Sequence, residues 1–135
     1  MGGSALADAS FLIALLSRRD RHHRWATAQA ARVPPPWKTC EAALSEAFHL
    51  LGRDGGRALG SLLQREAVVV AFDLGHNLDA VLKFMHKYAD LPASLADACL
   101  VRMTETLDDP LLLTTDDDFR VYRRHGRQVV PSMRP

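Results

Sequence analysis

The chain has 135 residues, 47% hydrophobic and 24% charged, with a formal net charge of +1. That length fits one domain, expected to span 1–135, that buries roughly two-thirds of the surface its unfolded form exposes, and the composition excludes a disordered or membrane-embedded chain. A net charge this close to zero argues neither for nor against a nucleic-acid partner. No apolar run is long enough to cross a bilayer, and the N-terminus has no basic region followed by a long apolar core, so neither a membrane partner nor a secretory leader is expected. Cys40 and Cys99 lie in unrelated segments without CxxC spacing or a histidine at ligand distance, which disfavours a zinc site or a disulfide framework and points to a reduced, cytoplasmic setting.

In chain order, an apolar run at Ser4 to Ala7 predicts a strand, followed by helical spacing over Ser10 to Ser17 and His22 to Ala31. Pro34-Pro35-Pro36 interrupts the alanine-rich stretch, and a weak strand candidate surrounds Trp37. Helical spacing resumes over Cys40 to Leu51 and Arg57 to Gln64. A strand is expected over Ala67 to Phe72, then helices over Asn77 to Tyr88 and Leu95 to Thr106. The last elements are a strand over Leu111 to Thr114, a helix over Phe119 to Arg124 and a strand over Gln128 to Val130. Strands alternating with helices imply a parallel sheet of four or five strands covered on both faces, a three-layer α/β/α domain. Ligand sites in such sheets lie beyond the carboxyl ends of the strands.

Four acidic positions stand out because each interrupts apolar sequence: Asp8, Glu46, Asp97 and the run Asp116 to Asp118. An ionised carboxylate withdrawn from water costs several kcal/mol unless it is compensated. No basic partner lies beside these acids in sequence, so either the fold supplies one for each or a divalent cation neutralises several together. Local explanations compete. Asp8 is well placed to cap the helix that follows it. Ser94-Leu95-Ala96-Asp97 has capping-box spacing, and the aspartate run fits a turn at a helix start. Glu46 is harder to explain locally, because Ala42, Ala43, Leu44, Ala47, Phe48, Leu50 and Leu51 surround it on what reads as a buried helix, with His49 as a possible partner. Glu41 lies in the first helical turn, where a solvated acid needs no further explanation. Convergent carboxylates suit Mg²⁺ or Mn²⁺ and metal-assisted attack of water on a phosphodiester. Consistently, no GxSxG, HExxH, GxxxxGK or GxGxxG motif occurs.

At these residues the chain resembles the PIN-domain family, and within it the VapC-type toxin ribonucleases of toxin–antitoxin pairs. Ala7 to Leu12 resembles the family's opening strand and D-x-S element. Thr39 to Phe48 resembles its second motif, ending on the glutamate, and Lys87 to Ala98 the segment that carries the third acid. Leu113 to Phe119 resembles the T-x-D-x-D-F pattern that closes the site, with Asp117 at a position often basic or variable. The resemblance implies that Asp8, Glu46, Asp97 and Asp116 are catalytic and hold Mg²⁺ or Mn²⁺. It further implies that Asp118 is auxiliary, that Ser10 assists Asp8 and that Thr114 or Thr115 lines the pocket. The implied substrate is RNA cut internally, the implied assembly a homodimer, and the implied inhibitor a cognate antitoxin protein.

Two basic clusters would suit an RNA backbone: Arg18, Arg19, Arg21 and Arg24 with His22 and His23, and Arg120, Arg123, Arg124 and Arg127 with His125. Solvated helix faces explain them equally well. Trp25 and Trp37 fit core packing better than base stacking. One rival function is a haloacid-dehalogenase-like phosphatase with Asp8 as nucleophile; that class needs a second aspartate two residues on, where Ser10 stands. The other is a non-catalytic interaction module in which the acids only cap helices.

Overall fold

A computed structural model describes residues 3–91 and 93–135. Met1 and Gly2 of the expected 1–135 domain, and Pro92 of the Lys87 to Ala98 motif, lie outside the described residues. β1 (Ser4–Ala7) runs through Asp8 into α1 (Ala9–Leu16) and α2 (His23–Arg32). β2 (Trp37–Thr39) leads into α3 (Glu41–Gln64) and then β3 (Val68–Val70). After α4 (Leu78–Lys87) and α5 (Leu95–Thr106) comes β4 (Pro110–Leu113), then a 3-10 turn over Asp117–Arg120. β5 (Arg123–Arg124), β6 (Gln128–Val129) and β7 (Ser132–Met133) follow.

Five strands form one parallel sheet in the order β3-β2-β1-β4-β7, so the first strand is central. Period-two alternation divides its side chains between two cores. Leu6 and Leu112 face the layer of α4 and α5, with Val81, Leu100 and Met103. Their neighbours Ala7 and Leu113 face α1, α2 and α3, with Phe11, Leu12, Leu44 and Leu59. The expected three-layer α/β/α architecture is therefore present. Burial on both faces also explains why the strands read as apolar runs rather than alternating ones. Trp37 is buried, donates its indole N–H to the Val33 carbonyl at 2.8 Å and packs edge-on against Phe11, which also meets Trp25 edge-on. Cys40 and Cys99 are buried and free. Among the described residues no helix is long and apolar enough to cross a membrane.

The two helices read over Cys40 to Leu51 and Arg57 to Gln64 are present as the two arms of α3, which meet at a break at Gly52, whose φ of 70° and ψ of −162° are non-helical and open to glycine. Other elements differ from expectation. No α-helix forms over Phe119 to Arg124. A 3-10 turn over Asp117–Arg120 takes its first two residues, and Arg123 Nη1 folds back to donate to the carbonyls of Arg120, Val121 and Tyr122. Gln128–Val129 pairs with Arg123–Arg124 in a small antiparallel hairpin, and the sheet's edge strand is instead Ser132–Met133 against Leu112 and Leu113.

Candidate metal centre

Register brings the acids together. Ala7 pairs with Leu113, so β1 and β4 end level, and the Asp8 amide bonds to the Leu113 carbonyl at 3.3 Å. Asp8 and the Thr114–Asp118 segment thus leave the sheet side by side at its carboxyl edge. There Asp97, Asp116 and Asp118 each offer an oxygen, and the three oxygens lie within 4.8 Å of one another. Asp97 and Asp116 are half-buried; Asp118 and Asp117 are exposed, and Asp117 stays outside the group.

Asp8 stands behind this trio, 5% exposed. Its Oδ1 accepts from the Phe11 amide (2.9 Å) and from Ser10 Oγ (2.7 Å), and its Oδ2 from Thr114 Oγ1 (2.6 Å). Each hydroxyl spends its one hydrogen on Asp8 and accepts a backbone amide in return: Thr115 N–H reaches Ser10 Oγ and Asp116 N–H reaches Thr114 Oγ1, both at 2.9 Å. The Ser10 to Thr114 separation of 3.2 Å therefore joins two oxygens whose hydrogens point elsewhere. The two hydroxyls clamp the β4 exit loop to Asp8 and fix where Asp116 begins. Thr115 takes part through its backbone amide.

Asp97 accepts at Oδ2 from the Ser94 amide (3.4 Å) and from the hydroxyl of buried Tyr122 (2.9 Å), while its own amide donates to Ser94 Oγ. Tyr122 is the site residue that sequence reasoning missed, because the helix expected over Phe119 to Arg124 gave it no reason to turn inward. Asp116 Oδ1 accepts from the Asp118 amide at 2.8 Å, which closes the 3-10 turn. The local capping roles and the cluster thus coexist, since each cap leaves carboxylate oxygen capacity unused.

Glu46 corrects one expectation. It is exposed on α3, whose buried stripe is Ala43, Leu44 and Ala47; Phe48 and Leu50 are exposed as well. Among the described residues it forms no ion pair with His49. Its tie to the centre is electrostatic: partial desolvation, then the charges of Asp97 and Asp116, hold its carboxyl above the usual range. Asp116 is also raised, first by burial and then by Asp118, Asp97 and Asp117, against the opposing hydrogen bond from the Asp118 amide. Burial lifts Asp8 from 3.8 to about 6 although three hydrogen bonds oppose the rise, with Asp116 adding a smaller upward push. Burial, then the bond to Asp97, holds the Tyr122 phenol far above its ordinary value.

Among the described residues, no lysine or arginine bonds to or pairs with Asp8, Glu46, Asp97, Asp116 or Asp118. Mutual repulsion without a protein counter-charge, from an all-oxygen donor set, fits a hard divalent cation. Of the basic candidates, Arg18, Arg19, Arg21 and Arg24 are exposed between α1 and the first turn of α2, and Arg120 is exposed at the end of the 3-10 turn. Arg123 and Arg124 are half-buried instead, with guanidiniums engaged by backbone carbonyls, Arg124 by that of Thr104. The family model described as the PIN domain matches residues 5–124, from β1 through β5. A comparison with curated proteins returns no match.

Proposed function

The chain belongs to the PIN-domain family, and from that membership we propose that it is a divalent-metal-dependent endoribonuclease of the VapC type, the toxin of a toxin–antitoxin pair. PIN domains are typically nucleases and generally use divalent metals. The observation that carries the reading is the convergence of Asp97, Asp116 and Asp118 on one point, within electrostatic reach of Asp8 and Glu46, with no cationic side chain among the described residues paired to them.

In this reading Asp97 and Asp116 would hold Mg²⁺ or Mn²⁺, Asp118 would assist, and Asp8 and Glu46 complete the negative field from behind and from the rim. Such an ion, when bound, would supply activation of water and charge compensation at a phosphodiester. The chain's own part is positioning. Ser10 and Thr114 fix Asp8 and the β4 exit loop, while Tyr122 and the Ser94 amide hold Asp97 Oδ2 and so restrain its carboxylate. Glu46 is exposed and has a raised proton affinity, which equips its Oε atoms to take the proton of an attacking water. Asp8 is a poor nucleophile, since both oxygens already accept hydrogen bonds and it is buried, which disfavours the phosphatase alternative. A purely capping role explains Asp8, Asp97 and Asp116 but gives Glu46, inside α3, no reason to lie within reach of their charges.

RNA as substrate, an antitoxin as inhibitor, a homodimer and a cytoplasmic setting belong to the same reading. Its test is cleavage of labelled RNA with Mg²⁺, with Mn²⁺ and with chelator, by wild type and by Asp97→Asn and Asp116→Asn. Cleavage only with metal, lost in both variants while their thermal unfolding stays cooperative, is expected. Metal-independent cleavage, or full activity in either variant, overturns the reading.

A further inference from the structure

α4, α5 and the β5–β6 hairpin enclose an open cleft of about 550 Å³. Four cations line it, Lys83, Lys87, Arg102 and Arg123, against the single carboxylate of Glu105. That is a marked concentration of positive charge on a chain whose net charge is only +1. The two arginines are preset: Arg102 is held by Asn77 (2.9 Å) and Glu105 (3.2 Å), and Arg123 by the backbone carbonyls of its own turn. The lysines are available. Lys87 Nζ donates one hydrogen to the Gly126 carbonyl at 3.0 Å and keeps two, and Lys83 has no side-chain partner among the described residues. His86 and His125 share the lining, while Phe84 and Ala98 give it an apolar wall.

The cleft adjoins the acidic centre. Ala98 follows Asp97 on α5, and Phe84 packs edge-on against Tyr122 with ring centroids 5.1 Å apart; Tyr122 in turn holds Asp97. Uncompensated carboxylates repel a polyanion, so a substrate strand that reaches them needs an attractive contact close by. Two lysines four residues apart on α4, beside an apolar wall, suit a phosphate with its sugar. We propose that this cleft binds a backbone phosphate of the RNA substrate flanking the one that is cut, an inference that rests on the nuclease reading above.

The test is fluorescence anisotropy of labelled single-stranded RNA of about 12 nucleotides, within the usual span of such sites, in chelator, so that binding is read without cleavage. Lys83→Glu/Lys87→Glu is expected to weaken binding at least about tenfold. It should flatten the plot of log affinity against log salt by about 0.7 to 1.4, according to whether the lysines share one phosphate. Lys83→Glu alone breaks no hydrogen bond or ion pair among the described residues, so it decides the matter if the double variant unfolds; a several-fold loss is expected. Unchanged affinity and salt slope overturn the proposal, as does adenosine monophosphate binding as tightly as the oligomer, which would make the cleft a free-nucleotide site. Cleavage surviving in Asp116→Asn would remove the nuclease reading without altering the anisotropy result, so the two failures are separable.

Discussion

Replacing Asp8 with asparagine tests the electrostatic description of the centre most directly, because stability and activity should move in opposite directions. Burial raises the Asp8 carboxyl from 3.8 to about 6, so between those pH values the folded chain binds more protons than the unfolded one and stability falls as pH rises. At about 1.4 kcal/mol per pH unit of displacement, the ionised group costs about 3 kcal/mol above pH 6 and nothing well below 3.8. Asparagine keeps Oδ1 for Ser10 and the Phe11 amide but turns the acceptor facing Thr114 into a donor, a loss of about 1 kcal/mol. In chelator at about pH 7.5 the net expectation for Asp8→Asn is therefore a gain of about 2 kcal/mol, or roughly 6–10 °C in Tm for a domain of this size. Near pH 4.5 the remaining penalty on Asp8 is only about 1 kcal/mol, so the two melting curves should nearly coincide. Adding Mg²⁺ should narrow or reverse the difference at the higher pH, since a ligand that binds only the folded wild type adds about 2.7 kcal/mol at a hundred times its Kd. RNA cleavage by the variant should be lost throughout. Calorimetric or circular-dichroism melts at both pH values, with and without metal, check this. A variant destabilised by the same amount at both pH values would refute the claim that Asp8 is a strained, buried anion in the metal-free protein.

Asp118→Asn should lower metal affinity and cleavage at least about tenfold, whereas Asp117→Asn, whose carboxylate lies outside the converging group, should change either by less than about twofold. Isothermal titration with Mn²⁺ and a cleavage assay on both variants read the contrast, and equal effects would contradict the orientation of the 3-10 turn. Tyr122→Phe removes the hydroxyl that restrains Asp97 Oδ2 in a buried aromatic cluster, so it should cost about 1 kcal/mol of stability together with a loosened metal affinity. A variant with lowered Tm but unchanged Mn²⁺ affinity would make Tyr122 a packing residue only.

Legibility in the sequence followed the range of the forces involved. The layer order was readable because β1 and β4 are buried on both faces and carry unbroken apolar runs, and because helical spacing between strands leaves few alternatives to a parallel sheet. β7 was not readable: Ser132–Met133 has no apolar run of its own, and only pairing with Leu112 and Leu113 makes it a strand. Glu46 was misjudged for a related reason. Helical periodicity separates the sides of α3 but not a side that opens on a crevice from one that enters the core, and the small Ala43 and Ala47 that pack inward carry little signal. Asp116 could not be ranked against Asp117 and Asp118 from an unbroken acidic run. One hydrogen bond, from the Asp118 amide to Asp116 Oδ1, tightens the turn so that residues two apart share a side while Asp117 points to solvent.

The competition between capping and metal binding, which looked from sequence like a choice, has a single topological cause. Chain segments leaving the carboxyl edge of a parallel sheet enter new helices or turns there, and each start has orphan amides that favour an acidic cap. Asp8 caps α1, Asp97 closes the capping box of α5, and Asp116 caps the 3-10 turn after β4. Register between β1 and β4, together with packing of α5 against their shared face, puts these starts next to one another, so satisfying each helix locally gathers negative charge at one place. Amides alone suffice for the caps. They cancel neither the desolvation of these carboxylates nor the smaller repulsion between them, which is why Asp8, Glu46 and Asp116 all keep raised proton affinities, and why the same arrangement that begins the helices favours a cation between them.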